Sequence, residues 1–287
     1  MSGTDALRLF EPAPEVVPAS DWCQRWTGGR HSWRHLSQGG FDASRYEVHA
    51  LDERRAKAYV VAHHYSASYP SAKLRYGMFE GATLVGVLVL GIPMHPAVLT
   101  NPFPDLVPGE ESMDLSRLVL ADRVAANGES WFVAAALAEA AAAGVRGVVA
   151  FADPVPRIVD GTVLFPGHIG ITYQAGNAVF AGRSAARIKV LLPDGAVLTD
   201  RAMSKVRNRE KGHDYVERRL MALGARPPRA EEHPDEWLRS ALDAVGARRL
   251  RHGGNYRYLF PVGPGRRRRT ALLARTGRPY PKALLAA

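Results

Sequence analysis

The chain has 287 residues, 46% of them hydrophobic, with 38 Lys+Arg against 28 Asp+Glu and a formal net charge of +10. That is enough apolar chain for one large core or two modest ones, and it excludes a disordered or fibrous protein. The single cysteine, Cys23, excludes an internal disulfide and a thiolate zinc cluster, and no apolar run approaches the roughly 20 residues of a membrane-spanning helix.

Asp5, Glu11 and Glu15 lie among Pro12, Pro14 and Pro18, with no basic start followed by an apolar block, so the start reads as a leader and the expected compartment is the cytoplasm. A segment of Trp22, Arg25, Trp26, Arg30, His31, Trp33, Arg34 and His35 follows. Such aromatic and Arg side chains can stack on extruded bases, or pack as an extension over one edge of a sheet; Cys23 within it reads as a buried thiol. Tyr46–Leu51 alternates as a first strand, and Asp52 caps a helix to about His64 that puts Ala56, Val60 and His64 on one face. Strands over Leu74–Phe79 and Thr83–Leu90 flank a Glu80-Gly81 turn, and Pro93–Pro108 reads as a long surface loop. Asp114–Leu120 is strand-like, Asn127-Gly128 leads into a helix over Ser130–Ala143, and Val145–Phe151 is a buried parallel-type strand ending at Asp153-Pro154. Residues 155–166 read as an insertion, and Ala178–Gly182 and Ala186–Leu192 as further strands. The spacing then predicts one basic helix over Arg201–Leu223, a second over Asp235–Val245, a strand over Asn255–Phe260, and a flexible arm from Arg266.

Charge is uneven along this order. Residues 183–287 hold 24 Lys+Arg against 10 Asp+Glu, which leaves residues 1–182 at −4. A nearly neutral body with a basic C-terminal third suits a polyanion, nucleic acid first and an anionic membrane surface second. Lys205, Arg207, Arg209, Lys211, Arg218 and Arg219 on the basic helix are the candidate phosphate contacts.

Two places can carry chemistry. At Asn127-Gly128-Glu129-Ser130 a helix start follows a strand and a glycine turn, a form that binds anions such as the pyrophosphate of coenzyme A or is a plain cap. Asp153 stands at the C-terminal end of a central strand, where open α/β sheets gather ligands, and His168, Tyr173, His64 and Tyr65 can converge on it. A carboxylate, imidazoles and phenols in one cleft supply bases and hydrogen-bond donors for acyl transfer to a weak nitrogen nucleophile. His64, Asp153 and His168 are equally the candidate ligands of a divalent metal.

The segments His64-Tyr65-Ser66, Leu115-Ser116-Arg117-Leu118, Ser130-Trp131-Phe132, Ala152-Asp153 and Gly167-His168-Ile169-Gly170 with Tyr173-Gln174-Ala175 resemble the Mom DNA-modification proteins of phage Mu type, a branch of the GNAT acyltransferase fold. The resemblance covers about residues 46–192. It implies modification of adenine N6 in DNA to a methylcarbamoyl-type group that shields phage DNA from restriction. It further implies acetyl-CoA contacts at Arg117 and Ser130, and a reaction site of His64, Tyr65, Asp153 and Tyr173. The Asp153–Gly167 spacing and the tryptophan-rich segment depart from the family's pattern.

The resulting expectation is an α/β protein with a GNAT-like mixed sheet flanked by helices: an N-terminal extension over 1–45, a catalytic core over 46–200, and a basic DNA-binding region over 201–287. Double-stranded DNA and an acyl-CoA donor are the expected partners, with no membrane. Arg117 and the helix start of Asn127, Gly128 and Ser130 would hold the donor. Asp153 or His64 would take the proton, and Tyr65 or Tyr173 would meet the base. The alternatives are an N-acyltransferase acting on a protein or small-molecule amine, and a non-enzymatic DNA-binding protein using the 201–245 helices as a helix-turn-helix.

Overall fold

A computed structural model describes residues 22–35, 37–159, 161–263, 265, 273 and 277–282. The proline-bearing leader and the Arg266–Arg269 run lie outside the described residues. The chain opens with a hairpin of β1 (Trp22–Thr27) and β2 (Arg30–His35). Gly28 and Gly29 close it with φ of 56° and 74°, the left-handed pair that a two-residue turn between twisted strands requires. Then come β3 (Tyr46–Ala50), α1 (Glu53–His63), β4 (Ala72–Glu80), β5 (Thr83–Gly91), α2 (Ala97–Thr100), β6 (Ser112–Leu120), α3 (Gly128–Ala142) and β7 (Gly147–Ala152). As the sequence predicts, Asp52 caps α1, its carboxylate accepting the Arg55 amide. A small hairpin of β8 (Arg157–Val159) and β9 (Thr162–Phe165) occupies the 155–166 insertion, followed by α4 (Ile171–Ala175) and β10 (Val179–Arg183).

The C-terminal third holds β11 (Arg187–Leu191), β12 (Val197–Leu198), α5 (Asp200–Arg207), α6 (Asp214–Ala222), α7 (Pro234–Ala244), β13 (Arg248–His252) and β14 (Tyr256–Pro261). The main sheet has seven strands in the order β10-β14-β7-β6-β5-β4-β3. All its neighbours are antiparallel except β6 and β7. This is the mixed α/β sheet flanked by helices that the sequence predicts. Helix α3 packs Phe132, Val133 and Ala136 on one face of the sheet; α1 packs Ala56 and Val60 on the other, against Val87 and Val89. With both faces covered, β5 reads as an unbroken apolar run.

Three sequence expectations change. The 93–108 loop is not merely a surface loop, because Leu99, Phe103 and Leu106 are buried against Val149 and Leu259. The basic helix predicted over 201–223 is two helices. It breaks at Arg209 and Gly212, which take φ of 51° and 86°, conformations that a right-handed helix cannot include. The strand at Tyr256–Pro261, predicted within a separate C-terminal region, lies inside the main sheet between β7 and β10.

Residues 187–252 are therefore an insertion between two neighbouring sheet strands, so the expected boundary at 200 does not separate two chain-contiguous units. The insertion has its own core around Trp237, whose indole N–H donates to the Arg226 carbonyl. Its root is a long antiparallel ribbon. The pairs Arg183↔Tyr256 and Arg187↔His252 keep one register across the join between β10/β14 and β11/β13. At that join the Ser184 amide donates to the Asn255 carbonyl. The last described residues also belong to the body: the Arg278 amide donates to Phe180 O and the Tyr280 hydroxyl to Ala178 O.

The tryptophan-rich hairpin β1–β2 covers neither edge of the sheet, which are β3 and β10. Arg25, 2% exposed, instead anchors it over the loop after β6. The guanidinium donates to the carbonyls of Ala121, Val124 and Ala125 and to the Glu129 carboxylate. The Gly29 amide adds a bond to His63 O. Breaking a buried pair by removing one partner costs roughly 3–5 kcal/mol, whereas an apolar replacement of both is close to neutral. Arg25→Met is thus expected to release the hairpin, speeding amide exchange over residues 22–35 while β4–β6 stay protected. Arg25→Met/Glu129→Leu is expected to restore most of that protection; unchanged exchange in Arg25→Met would contradict the anchoring.

Candidate active site

Strands β6 and β7 pair only from Ser112↔Gly147 to Leu115↔Ala150, although β6 continues to Leu120. Past Leu115 it has β5 on one side and no strand on the other. Residues 115–120 there line a cavity of about 180 Å³. Gln24, Trp26 and Trp33 of the hairpin contribute one wall, His64 and Tyr65 at the end of α1 another, and residues 168–173 a third.

The imidazoles are neutral. His64 is 6% exposed, and burial, with Arg117 and His168 nearby, lowers its pKa to about 3. Its Nδ1 accepts the Ser66 amide at 3.1 Å and sits 2.9 Å from the Ser66 hydroxyl. A ring nitrogen that accepts a backbone N–H carries no proton, so the proton of His64 is on Nε2 and this side chain is a donor. His168 is lowered to about 4 by burial, against the opposing pull of Asp153. Its backbone amide donates to the Asp153 carbonyl at 2.8 Å. No hydrogen bond to its ring nitrogens is found among the described residues, so it is the cavity's free base.

Asp153 itself is engaged. Its carboxylate accepts from Lys189 Nζ at 3.1 Å, His252 Nε2 at 2.7 Å and the Val155 amide at 3.2 Å. Burial opposes ionisation, yet His252 and Lys189 outweigh it and hold the carboxyl well below the usual range. His252, 1% exposed, accepts the Gly254 amide on Nδ1 at 3.1 Å, which fixes its proton on Nε2, toward Asp153. An anion so held is a weak base, and it does not line the cavity.

Tyr65 and Tyr173 do line it. Burial raises both phenols, so they stay protonated as donors. Tyr65 lies within an aromatic cluster: Trp26 is 4.7 Å and Phe165 4.9 Å away, and the Arg157 guanidinium lies over the Phe165 ring at 4.0 Å. The ring of Trp26, a candidate for stacking on bases, thus packs on Tyr65 and Phe165. Gly170, at φ 78°, begins α4 where a Cβ would come within 2.6 Å of the Tyr258 ring, so the turn that presents Tyr173 requires glycine.

The metal trio of the sequence reading does not assemble. Asp153 is bound to Lys189 and His252, His64 to Ser66, and no group of three His, Cys, Asp or Glu side chains suited to a metal occurs among the described residues. Arg117 lines the cavity, but its guanidinium donates to Ser68 O, Ser68 Oγ and Ser116 O. At the α3 start the Gly128 amide donates to Ala125 O, the Ser130 hydroxyl donates to Asn127 O, and Glu129 faces Arg25. Of the six predicted phosphate contacts, four are in ion pairs: Arg207 with Asp235, Arg209 with Glu217, Arg218 with Asp214 and Arg219 with Asp194. Lys205 and Lys211 have no ion pair among the described residues.

Sequence reasoning missed Lys189 and His252, which come from the two strands at the root of the insertion and complete the Asp153 cluster. It also missed Gln24, which lies directly opposite Trp33, a residue of the predicted stacking segment, on β1 and β2. Their Nε2 and Nε1 atoms are buried without a partner among the described residues, in side chains that line the cavity. The aromatic density of 22–35 was the only signal for them.

Neutral buried histidines destabilise the fold as acid is added, because the unfolded chain binds the protons that the fold refuses. Stability from His64 and His168 is full above about pH 6.5 and falls as pH drops toward 4, by about 1.4 kcal/mol per unit for each group. Denaturant titrations across that window are expected to show the slope, and His64→Asn to reduce it by about half; a wild-type stability independent of pH there would contradict the assignment.

No helix among the described residues is long and apolar enough to cross a membrane. No curated protein matches the chain. Among solved structures, a tandem GNAT protein from the clavulanic acid biosynthesis pathway, solved without AcCoA, is 11% identical and covers 76% of this chain and 75% of its own, with a TM-score of 0.34. A crystal structure provisionally assigned as a phosphinothricin N-acetyltransferase is 12% identical, covers 54% of this chain and 90% of its own, and has a TM-score of 0.29. Both superpositions are loose. The family match runs over residues 45–282, taking in the ribbon and its insertion as well as the 46–192 segment, and by it the chain belongs to the Mom protein family.

Proposed function

We propose that this protein modifies adenine N6 in double-stranded DNA with a group drawn from an acyl-CoA donor, acetyl-CoA, and that the modification protects phage DNA from restriction. One observation carries the reading: in a chain of a DNA-modification family, a free neutral imidazole, His168, faces the cavity left where β6 parts from β7. The cavity fits such a donor. The unpaired edge of Leu115–Leu120 offers backbone partners to an extended amide chain, and Gln24 Nε2 and Trp33 Nε1 want an acceptor. When bound, the coenzyme would supply a thioester carbonyl as electrophile, the C–S bond breaking as the bond to N6 forms and coenzyme A leaving as its thiol.

The chain's own groups supply the rest. An exocyclic amine must leave the duplex to be reached. His168 takes the proton that N6 gives up as its new bond forms, a task for which its neutral form is the competent one. Protonated Tyr65 and Tyr173, with His64 Nε2–H, stabilise negative charge developing on the acceptor oxygen. Asp153 supports His168 through its carbonyl rather than acting as base, and Arg117 holds the Ser66–Ser68 loop beside the cavity.

Nucleoside mass spectrometry of plasmid DNA from cells expressing the protein tests this. A new mass on deoxyadenosine is expected, identifying the group, and His168→Ala should lower its yield by about 100-fold or more, the contribution of a general base. Unmodified DNA from cells holding folded protein would contradict the reading, and if the protein still bound acetyl-CoA it would favour transfer to another amine.

A further inference from the structure

The basic C-terminal third is where a DNA partner is expected, but its charges are not equivalent. In the insertion's helices and turns seven of the eight arginines are answered locally, Arg229 excepted: Arg201 by Glu210, Arg207 and Arg239 by Asp235, Arg209 by Glu217, Arg218 by Asp214, Arg219 by Asp194 and Arg226 by Glu232. A guanidinium already bonded to a carboxylate offers a phosphate little, because the pair must open first and the freed carboxylate repels the phosphate. The ribbon that roots the insertion is different. Arg183, Arg187, Arg249 and Arg251 are exposed, and none has an ion pair among the described residues. No carboxylate stands opposite them: the cross-strand partners are Tyr256 for Arg183, His252 for Arg187, Val190 for Arg249 and Ile188 for Arg251. Ile188 is itself 56% exposed between them.

We infer that the face of this ribbon carrying Arg249 and Arg251, with Ile188 beside them, is the surface that grips the DNA phosphate backbone, and that the α5–α6 helices are not. The inference rests on the DNA reading above and relocates the contact within it. Geometry favours it twice. Arg249 and Arg251 share one face of an extended strand about 6.6 Å apart, so both guanidinium groups can reach one run of backbone phosphates. The same strand carries His252, on its other face, to Asp153, whose carbonyl holds His168, so a duplex held on the Arg249–Arg251 face backs onto an element that supports the cavity.

The test is binding of the full chain to a labelled 20-base-pair duplex over a series of salt concentrations. Arg249→Gln/Arg251→Gln should bind at least tenfold more weakly at 0.1 M salt, with the slope of log affinity against log salt reduced by about 2, the loss of two phosphate contacts. Arg201→Gln/Arg239→Gln, which removes the same formal charge elsewhere, should change affinity less than threefold. Circular dichroism checks that each variant is folded, and all four side chains are exposed. Three outcomes overturn the inference. If the ribbon variant binds like wild type while Arg218→Gln/Arg219→Gln loses affinity, the helices are the surface. If every charge-removing variant loses equally, the attraction is diffuse. If wild type does not bind the duplex at all, the DNA reading itself fails, a result distinct from the other two.

Discussion

The grip of Lys189 and His252 on the Asp153 carboxylate is the constraint from which the rest of the site follows. A carboxylate this enclosed is stable as an anion only with partners at hydrogen-bond distance, and both come from beyond residue 187, at 3.1 and 2.7 Å. The end of β7 is thereby tied to the ribbon of β11 and β13. The Asp153 carbonyl then fixes the His168 backbone at 2.8 Å, and the cavity side of the molecule inherits its geometry from that bond. Lys189 lies on β11 and His252 on β13, so both strands of the ribbon are tied to the end of β7 beside the cavity.

Three separated stretches of chain build the cavity: the hairpin of residues 22–35, the splayed strands with α1, and the 165–173 segment steadied by the ribbon. Its electrostatics are consistent throughout. Burial keeps His64 and His168 neutral and both phenols protonated. The strong charges, Arg25 with Glu129 and Asp153 with Lys189, are used in pairs to fasten elements. A site of neutral donors and one neutral base suits attack by an amine on a carbonyl, where charge develops only during the reaction. The hairpin lies outside residues 45–282, so two of the cavity's donors, Gln24 and Trp33, are contributed by a stretch outside the family match.

Much of the fold was legible in local pattern. The Asp52 cap, the Glu80-Gly81 turn, the alanine-rich helix ended by Gly144 and the apolar runs of β5 and β7 each follow from short-range rules, and the structure has them all. What was not legible depends on long-range pairing. Nothing in Tyr256-Arg257-Tyr258-Leu259-Phe260 announces that it slots beside β7 rather than within a separate region. The basic helix misled because composition counts Arg207, Arg209, Arg218 and Arg219 without their carboxylate partners. For the site, the sequence brought His64, Tyr65, His168 and Tyr173 to one place correctly. It named Asp153 or His64 as base without sight of the partners Lys189 and His252 on the first and Ser66 on the second.

The most direct measurement is an acetyl-CoA titration followed by backbone amide chemical shifts. The account predicts shifts that saturate along Leu115–Leu120 of β6 and at Ile169–Tyr173, with the side-chain N–H signals of Gln24 and Trp33 moving in step. Saturable shifts confined to other surfaces, or none at millimolar coenzyme, would contradict the claim that the parting of β6 from β7 is the donor site.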